Sequence, residues 1–433
     1  MVFLNEILKN KIFEYAMFLS VLGYALFKIA NRSVGDVFLT LLFLGTLFSF
    51  IINWRILIKN KILWLFALAL ITQIVSWLHG LYFTPYTPIY SPFKPLANLF
   101  YFFILAYWIR GNPYYIFSTL SAYCLGVILA CFLHSSAPID EFLLGLSGQR
   151  VDFGITDANH TAALAGAAVL AAGFMLYTFF KQVKNYLAPG YRYSYLLFLI
   201  IILIINLLLV YMTLSRAAWL ALFIVLLMTM VFLLANNISF NKKSFLKILI
   251  ILVGFISVTY SVIRLPQIHS RVFEEREVIV SILDKTPGEI AGSSIGNRIK
   301  FWYSAIDWVK KYPLLGLGDR DAREFIIQES PYLSQEIKDE FKHLHNGHIE
   351  ILVSYGLLGL GVVWGIFIII LTEAFTLKSK YKSYAVYAMV IFILYYFTIN
   401  VFESFFMFKS GELIQTVILG CLYSMCLKQK LSH

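Results

Sequence analysis

Charge is scarce in this chain. Only 14% of its 433 residues are Asp, Glu, Lys or Arg, against about 25% in an ordinary soluble domain. That shortage excludes a water-soluble globular protein, and the 60% hydrophobic and 17% aromatic content with mean hydropathy of +0.77 points to an integral membrane protein. Cysteine is scarce too: Cys124, Cys131, Cys421 and Cys426 all fall inside long apolar runs and none in a polar loop, which excludes a disulfide framework and any Cys/His metal spacing. No internal repeat is evident, which argues against the inverted halves of many transporters. Nor does the first apolar run resemble a cleavable signal. It carries Glu14 and Lys28 and continues into a polytopic pattern, so it is expected to be retained as a span.

What is present is a succession of apolar runs. A bilayer core takes roughly 20 apolar residues per helix, and the pattern predicts about twelve spans, near 12–30, 36–53, 62–78, 95–109, 114–133, 160–180, 193–212, 216–235, 245–263, 346–371, 384–400 and 411–427. The joint near residue 213 is the least marked of their boundaries. Net charge is +11, and its distribution explains it: 17 of the 35 basic residues, from Lys9 and Lys11 through Lys242, Lys243 and Lys247 to Lys428 and Lys430, fall on the side that holds the N-terminus. Short loops on the other side hold only Arg32, Lys94, Arg150, Arg216 and Lys409. By the positive-inside rule both termini are expected in the cytoplasm, and the basic balance is topological rather than a nucleic-acid footprint.

Residues 264–345 break the rhythm of spans and short loops. This polar insertion on the outer face holds 13 of the 24 acidic residues and 12 basic ones, so it is nearly neutral and is expected to fold. The chain divides accordingly into spans 1–263, a loop domain 264–345 and spans 346–433. Within the loop domain, RIKFWYSAIDWVKK places Ile299, Trp302, Ile306 and Val309 at helical intervals, predicting an amphipathic helix capped by Asn297, ended near Tyr312 and lying on the membrane or over the bundle. Two further outer loops have character. LYFTPYTPIYSPFK (81–94) reads as an interfacial aromatic belt or a sugar- or lipid-stacking surface. SGQRVDFGITDANH (147–160) carries Arg150 ahead of a small-residue span suited to close helix approach.

Arg216, between two apolar runs, is the most expensive residue in the sequence, since a guanidinium at that depth needs compensation of about 2.5 kcal/mol or more. It sits at the outer start of a helix, where free amides and the helix dipole favour an anion; a snorkelling or internally paired arginine is the alternative. Arg298 repeats that logic after the flexible GSSIGN run. His345 closes the loop domain beside Asn346, a favourable cap for the next span, and an imidazole there can exchange a proton near neutral pH. Metal binding competes, because His343, His345 and His348 are close in sequence. Spacings of two and three do not put all three on one helix face, however, and no carboxylate stands at a standard ligand interval, although Glu350 is near. Asp319-Arg320-Asp321 reads as a solvated loop, and Glu403 as an acid that either pairs with an arginine, orients the histidine or forms a structural salt bridge.

These residues resemble the O-antigen ligases of lipopolysaccharide assembly, within the O-antigen ligase and polymerase superfamily. RAAWL (216–220) is similar to the family's Arg-x-x-x-Leu element. His345-Asn346, nine residues, Gly356 and Gly359 are similar to its His-Asn-x9-Gly-x-x-Gly element, and GNRIKFWYSAIDWVKKYPLLGLG (296–318) to the loop segment carrying its second arginine, here Arg298. Where such ligases often have Asp near the last two spans, this chain has Glu403. The resemblance, which covers most of the chain, implies an all-α polytopic fold of about 12 transmembrane helices with one large periplasmic loop, a GT-C-like glycosyltransferase architecture in the inner membrane. It implies a donor, O-antigen on undecaprenyl diphosphate, an acceptor, lipid A-core, and no metal or cofactor. Arg216 and Arg298 would hold the diphosphate and His345 would be the general base, with Asn346, Glu403, Lys94 and Arg150 in supporting places. An O-antigen polymerase, a transferase to protein and a lipid-linked glycan flippase are the rival expectations.

Overall fold

The computed structural model describes residues 11–181, 189–237, 264–273, 292–378 and 382–431, with isolated residues 253, 254, 256, 257, 260, 261 and 290. Every regular element among them is helical. In chain order these are α1 (Lys11–Ala30), α2 (Arg32–Leu57), α3 (Lys61–Phe83), α4 (Leu96–Ile109), α5 (Pro113–His134), α6 (Pro138–Leu146), α7 (Ala158–Lys181), α8 (Pro189–Met212) and α9 (Arg216–Asn237). After them come α10 (Pro266–Phe273), α11 (Ser294–Lys311), α12 (Ala322–Gln328), α13 (Gln335–Glu340), α14 (Gly347–Phe375), α15 (Lys382–Phe402) and α16 (Lys409–Lys430).

Ten of these, α1, α2, α3, α5, α7, α8, α9, α14, α15 and α16, are long and apolar enough to cross a membrane, and the chain is an all-α polytopic membrane protein. Two expected spans stand apart. The one near 95–109 is α4, which at about 1.5 Å per residue reaches roughly 21 Å, short of a hydrocarbon core of roughly 30 Å; it is buried by its neighbours instead. The one at 245–263 lies mostly outside the described residues.

Asparagine side chains start several helices, Asn60 capping Ile62 N at 2.9 Å and Asn112 capping Tyr114 N at 3.0 Å, which satisfies amides that have no partner within the helix. The small residues of α7 allow the close approach expected of them: Tyr123 and Tyr395 reach its backbone, donating to the carbonyls of Leu164 at 3.0 Å and Ala163 at 2.8 Å. Charges inside the bundle are matched. Lys28 on α1 pairs with Asp36 on α2 and lies 3.9 Å from Glu412 on α16, which accepts from Asn98 at 3.1 Å. At the opposite end Arg110 pairs with Glu14.

α14 is broken in its middle. Gly356 takes φ +64° and ψ −163°, and a Cβ there would stand 2.2 Å from the backbone of Leu314. The segment PLLGLG (313–318) uses the opening: Leu317 N and Gly318 N donate to the carbonyls of Val353 and Ser354 at 2.8 Å each, while Leu357 N donates to Pro313 O at 2.8 Å and Leu358 N to Leu314 O at 3.3 Å. Backbone groups released by the break are therefore paired with the loop segment, as a low-dielectric setting demands. The first glycine of the His-Asn-x9-Gly-x-x-Gly pattern owes its identity to this junction.

Residues 292–345 pack on the end of the bundle around a second, small core, with Phe301, Ala305, Leu317, Ile326, Ile327 and Leu344 inside and Tyr86 and Val353 joining from the bundle side. Three expectations change here. α11 is capped by Ser293, whose hydroxyl accepts from Gly296 N at 3.1 Å, and not by Asn297; its end at Tyr312 is as expected. Its fully buried positions are Gly296, Lys300, Phe301, Ser304 and Ala305; of the expected stripe Trp302 and Val309 pack half-buried against this core, while Ile306 is exposed. Asp319 is not solvated: only 1% exposed, it accepts from Tyr86 Oη at 2.5 Å and from the amides of Ile89 and Tyr90 at 2.9 and 3.1 Å, fastening the 84–95 loop to this domain.

Candidate active site

His345 ends the loop domain at φ +50°, a left-handed conformation unusual for histidine and held by its surroundings. Asn346 follows as the cap of α14, accepting from the amides of His348 and Ile349 at 3.1 Å each. His345 Nδ1 lies 2.9 Å from Oε2 of Glu403, which comes from the turn after α15. Glu403 is fully buried, and its second oxygen, Oε1, accepts from Ser404 N at 3.0 Å and lies 3.0 Å from Nε2 of His343. Burial opposes ionisation of Glu403, but the contacts from His343 and His345 outweigh it and hold the carboxyl well below the usual carboxylate range. For His343, burial disfavours the charged form, yet the Glu403 carboxylate prevails and raises its pKa above the ordinary imidazole value. An ionised carboxylate can only accept, so His345 carries a hydrogen on Nδ1, and Nε2 is the ring nitrogen left out of that contact.

A second carboxylate aligns this pair. Glu350, on the first turn of α14 and fully buried, binds Arg323 of α12 through Oε2 at 2.8 Å. Its Oε1 accepts from Leu344 N at 2.8 Å and Ser404 Oγ at 2.6 Å, the residues adjoining His345 and Glu403. One side chain thus fixes both segments that deliver the dyad. The Arg323 guanidinium lies 5.4 Å from the Phe408 ring centroid, and His343 meets the same ring edge-on at 5.4 Å.

The candidate arginines come to this end of the bundle by different routes. Arg298 precedes Phe301 and Trp302 on α11 by three and four residues and so shares their face. Phe301 stacks toward His345 with centroids 6.1 Å apart, and Trp302 Nε1 donates to Leu344 O at 3.1 Å, so Arg298 stands about one turn, roughly 5.4 Å, along the face that meets His345. Arg216 is the first residue of α9, after a two-helix joint in which Leu214 has φ +47°. The preceding Ser215 donates to Asn159 at 2.9 Å; the next residue, His160, meets Ser410 Oγ at 2.6 Å and the rings of Phe405 and Phe408 at 5.2 and 4.8 Å. Phe408 is the ring that His343 touches, so the start of α9 and the dyad border one aromatic cluster. Arg150 supports that joint, its Nε donating to Thr213 O at 3.2 Å.

Lys94 is exposed, and the atom that the fold ties down is its carbonyl, which accepts from Tyr355 at 3.1 Å, two turns along α14 from Asn346. His348 turns away from His343 and His345: it receives Trp364 Nε1 at 3.3 Å and packs on Phe397 at 5.1 Å. The sequence alone did not expose Arg323, Glu350 as an aligning residue, or His160. Only Glu350 carried a local signal, as an acid four residues after a capping asparagine at the mouth of an apolar helix.

No curated protein matches the chain. A family model described as O-antigen ligase matches residues 199–364, from α8 through the broken helix α14, and so takes in Arg216, Arg298, Arg323, His345 and Glu350. Residues 199–364 thus match the O-antigen ligase family, within a superfamily of membrane ligases and polymerases whose members act on lipid-linked glycans.

Proposed function

We propose that this protein transfers an O-antigen polysaccharide from undecaprenyl diphosphate to a sugar hydroxyl of lipid A-core, at the periplasmic face of the bacterial inner membrane and with both termini in the cytoplasm. The observation that carries the reading is the His345–Glu403 dyad: a histidine whose Nδ1 is committed to a buried carboxylate at 2.9 Å presents Nε2 as a base. In the proposed step the acceptor oxygen attacks the anomeric carbon of the donor, and its proton passes to His345 Nε2. The bond from that carbon to the diphosphate breaks with its electron pair staying on the diphosphate, and direct displacement inverts the anomeric centre. Arg216 and Arg298 meet the growing negative charge with charge-assisted hydrogen bonds, the service that a divalent cation would otherwise provide.

The test is purified protein supplied with glycan-linked undecaprenyl diphosphate and lipid A-core in the presence of a chelator and without ATP. Conjugate should form, and Arg216→Ala, Arg298→Ala or His345→Ala should abolish it in folded protein. A product built from two donor molecules would replace the ligase reading with a polymerase. Movement across the bilayer without a new glycosidic bond would replace it with a flippase.

A further inference from the structure

We propose that His343, His345 and Glu403 form a binding site for a divalent transition metal, best matched to Zn2+, and that an ion held there blocks His345 as a base. The three residues each offer one ligand atom, and these atoms lie within 4.8 Å of one another. His345 Nδ1 and His343 Nε2 stand 2.9 and 3.0 Å from the two Glu403 oxygens. Ligand bonds of about 2.0–2.2 Å around a tetrahedral ion separate neighbouring ligand atoms by roughly 3.3 Å, so small side-chain shifts admit the ion. His343 Nε2 is buried 3.0 Å from the carboxylate but outside hydrogen-bond geometry, so an ion that takes the place of its proton there breaks no well-formed bond.

Two imidazoles and one carboxylate suit borderline ions such as Zn2+ and leave a fourth position open, whereas Mg2+ and Ca2+ prefer oxygen ligands. The ligands are also braced from outside: Ser404 N binds Glu403 at 3.0 Å, and Glu350 holds Leu344 and Ser404 at 2.8 and 2.6 Å. This set is invisible to local spacing, because the carboxylate arrives from 58 positions beyond His345.

The consequence for transfer rests on the reading of His345 as general base. A metal on Nδ1 takes the lone pair there, so the one hydrogen of the neutral ring moves to Nε2. That atom then donates and can no longer accept the proton of the acceptor hydroxyl.

Binding is tested without any glycan, so its failure is separate from failure of the proposed reaction. Tag-free full-length protein in detergent is titrated with Zn2+ by calorimetry, with Mg2+ as control, and Co2+ is added as a spectroscopic substitute. One Zn2+ per chain is expected, together with the intense visible bands of four-coordinate cobalt. His343→Gln, checked for an unchanged melting profile, should weaken binding at least about tenfold, since even loss of a residue bracing a metal ligand has an effect of that size. In the transfer assay, zinc inhibition relative to each variant's own rate should weaken likewise. Absence of saturable Zn2+ binding, or equal affinity in wild type and His343→Gln, would overturn the proposal.

Discussion

His345 Nδ1 and Glu403 Oε2 lie 2.9 Å apart although 58 positions separate them in the chain. In the proposed mechanism the anion holds the His345 hydrogen on Nδ1 and would stabilise the imidazolium that proton transfer to Nε2 creates. Glu403→Gln removes the charge while keeping the shape, so transfer should slow by about 10²- to 10⁴-fold, the span of general-base assistance. Glu403→Asp, which keeps the charge with a shorter reach, should fall between. Initial rates of conjugate formation, with melting curves to establish folding, decide this.

The Arg323–Glu350 pair is a buried ion pair at 2.8 Å. Removing one partner from such a pair destabilises by about 3–5 kcal/mol, because the other is left charged and unpaired. Arg323→Met and Glu350→Ala should each lower Tm strongly. Glu350→Ala should also lower activity, since Leu344 and Ser404 lose their acceptor. The double variant should be less destabilised than the two single losses added together, and thermal unfolding in detergent measures all three.

Gly356 and Gly361 sit in the same helix and should respond oppositely to alanine. At Gly356 the positive φ and the Leu314 backbone 2.2 Å from a new Cβ make Gly356→Ala destabilising, by more than about 1 kcal/mol. At Gly361 nothing lies within 4 Å of a new Cβ, so Gly361→Ala should be neutral or stabilising by roughly 0.5–1 kcal/mol. A shared response of the two variants in melting experiments would contradict the role assigned to the break.

Asp319 holds the 84–95 loop by three hydrogen bonds, two of them to backbone amides. Asp319→Ala leaves those groups without an acceptor, at about 1–3 kcal/mol each where they stay buried. The amides of Ile89 and Tyr90 should then exchange with deuterium much faster than in wild type, while the helices of the bundle keep their protection.

Much of the architecture was legible because run length and hydropathy decide which segments can span a bilayer, and because caps such as Asn346 act within a few residues. Arg216 at a helix start and His345 at the mouth of α14 were legible for the same local reason. Long-range electrostatics were not. Arg323 and Glu350 are 27 positions apart, and nothing near either announces the other. Asp319 looked solvated among charged neighbours, whereas its environment is set by a loop more than 200 positions earlier. On α11 the stripe residues Trp302 and Val309 do pack on the core, but the deepest positions are small residues, Phe301 and the aliphatic stem of Lys300, a pattern that apolar periodicity does not register.

The central claim assigns proton transfer to His345 and diphosphate binding to Arg216 and Arg298. Its most direct test measures, on the same folded preparations, both affinity for the lipid-linked donor and the rate of conjugate formation for His345→Gln, Arg216→Ala and Arg298→Ala. The account predicts that His345→Gln binds donor like wild type and turns over at least about 10²-fold more slowly, while both arginine variants lose donor affinity as well as rate. A His345→Gln protein that transfers glycan at the wild-type rate would contradict it.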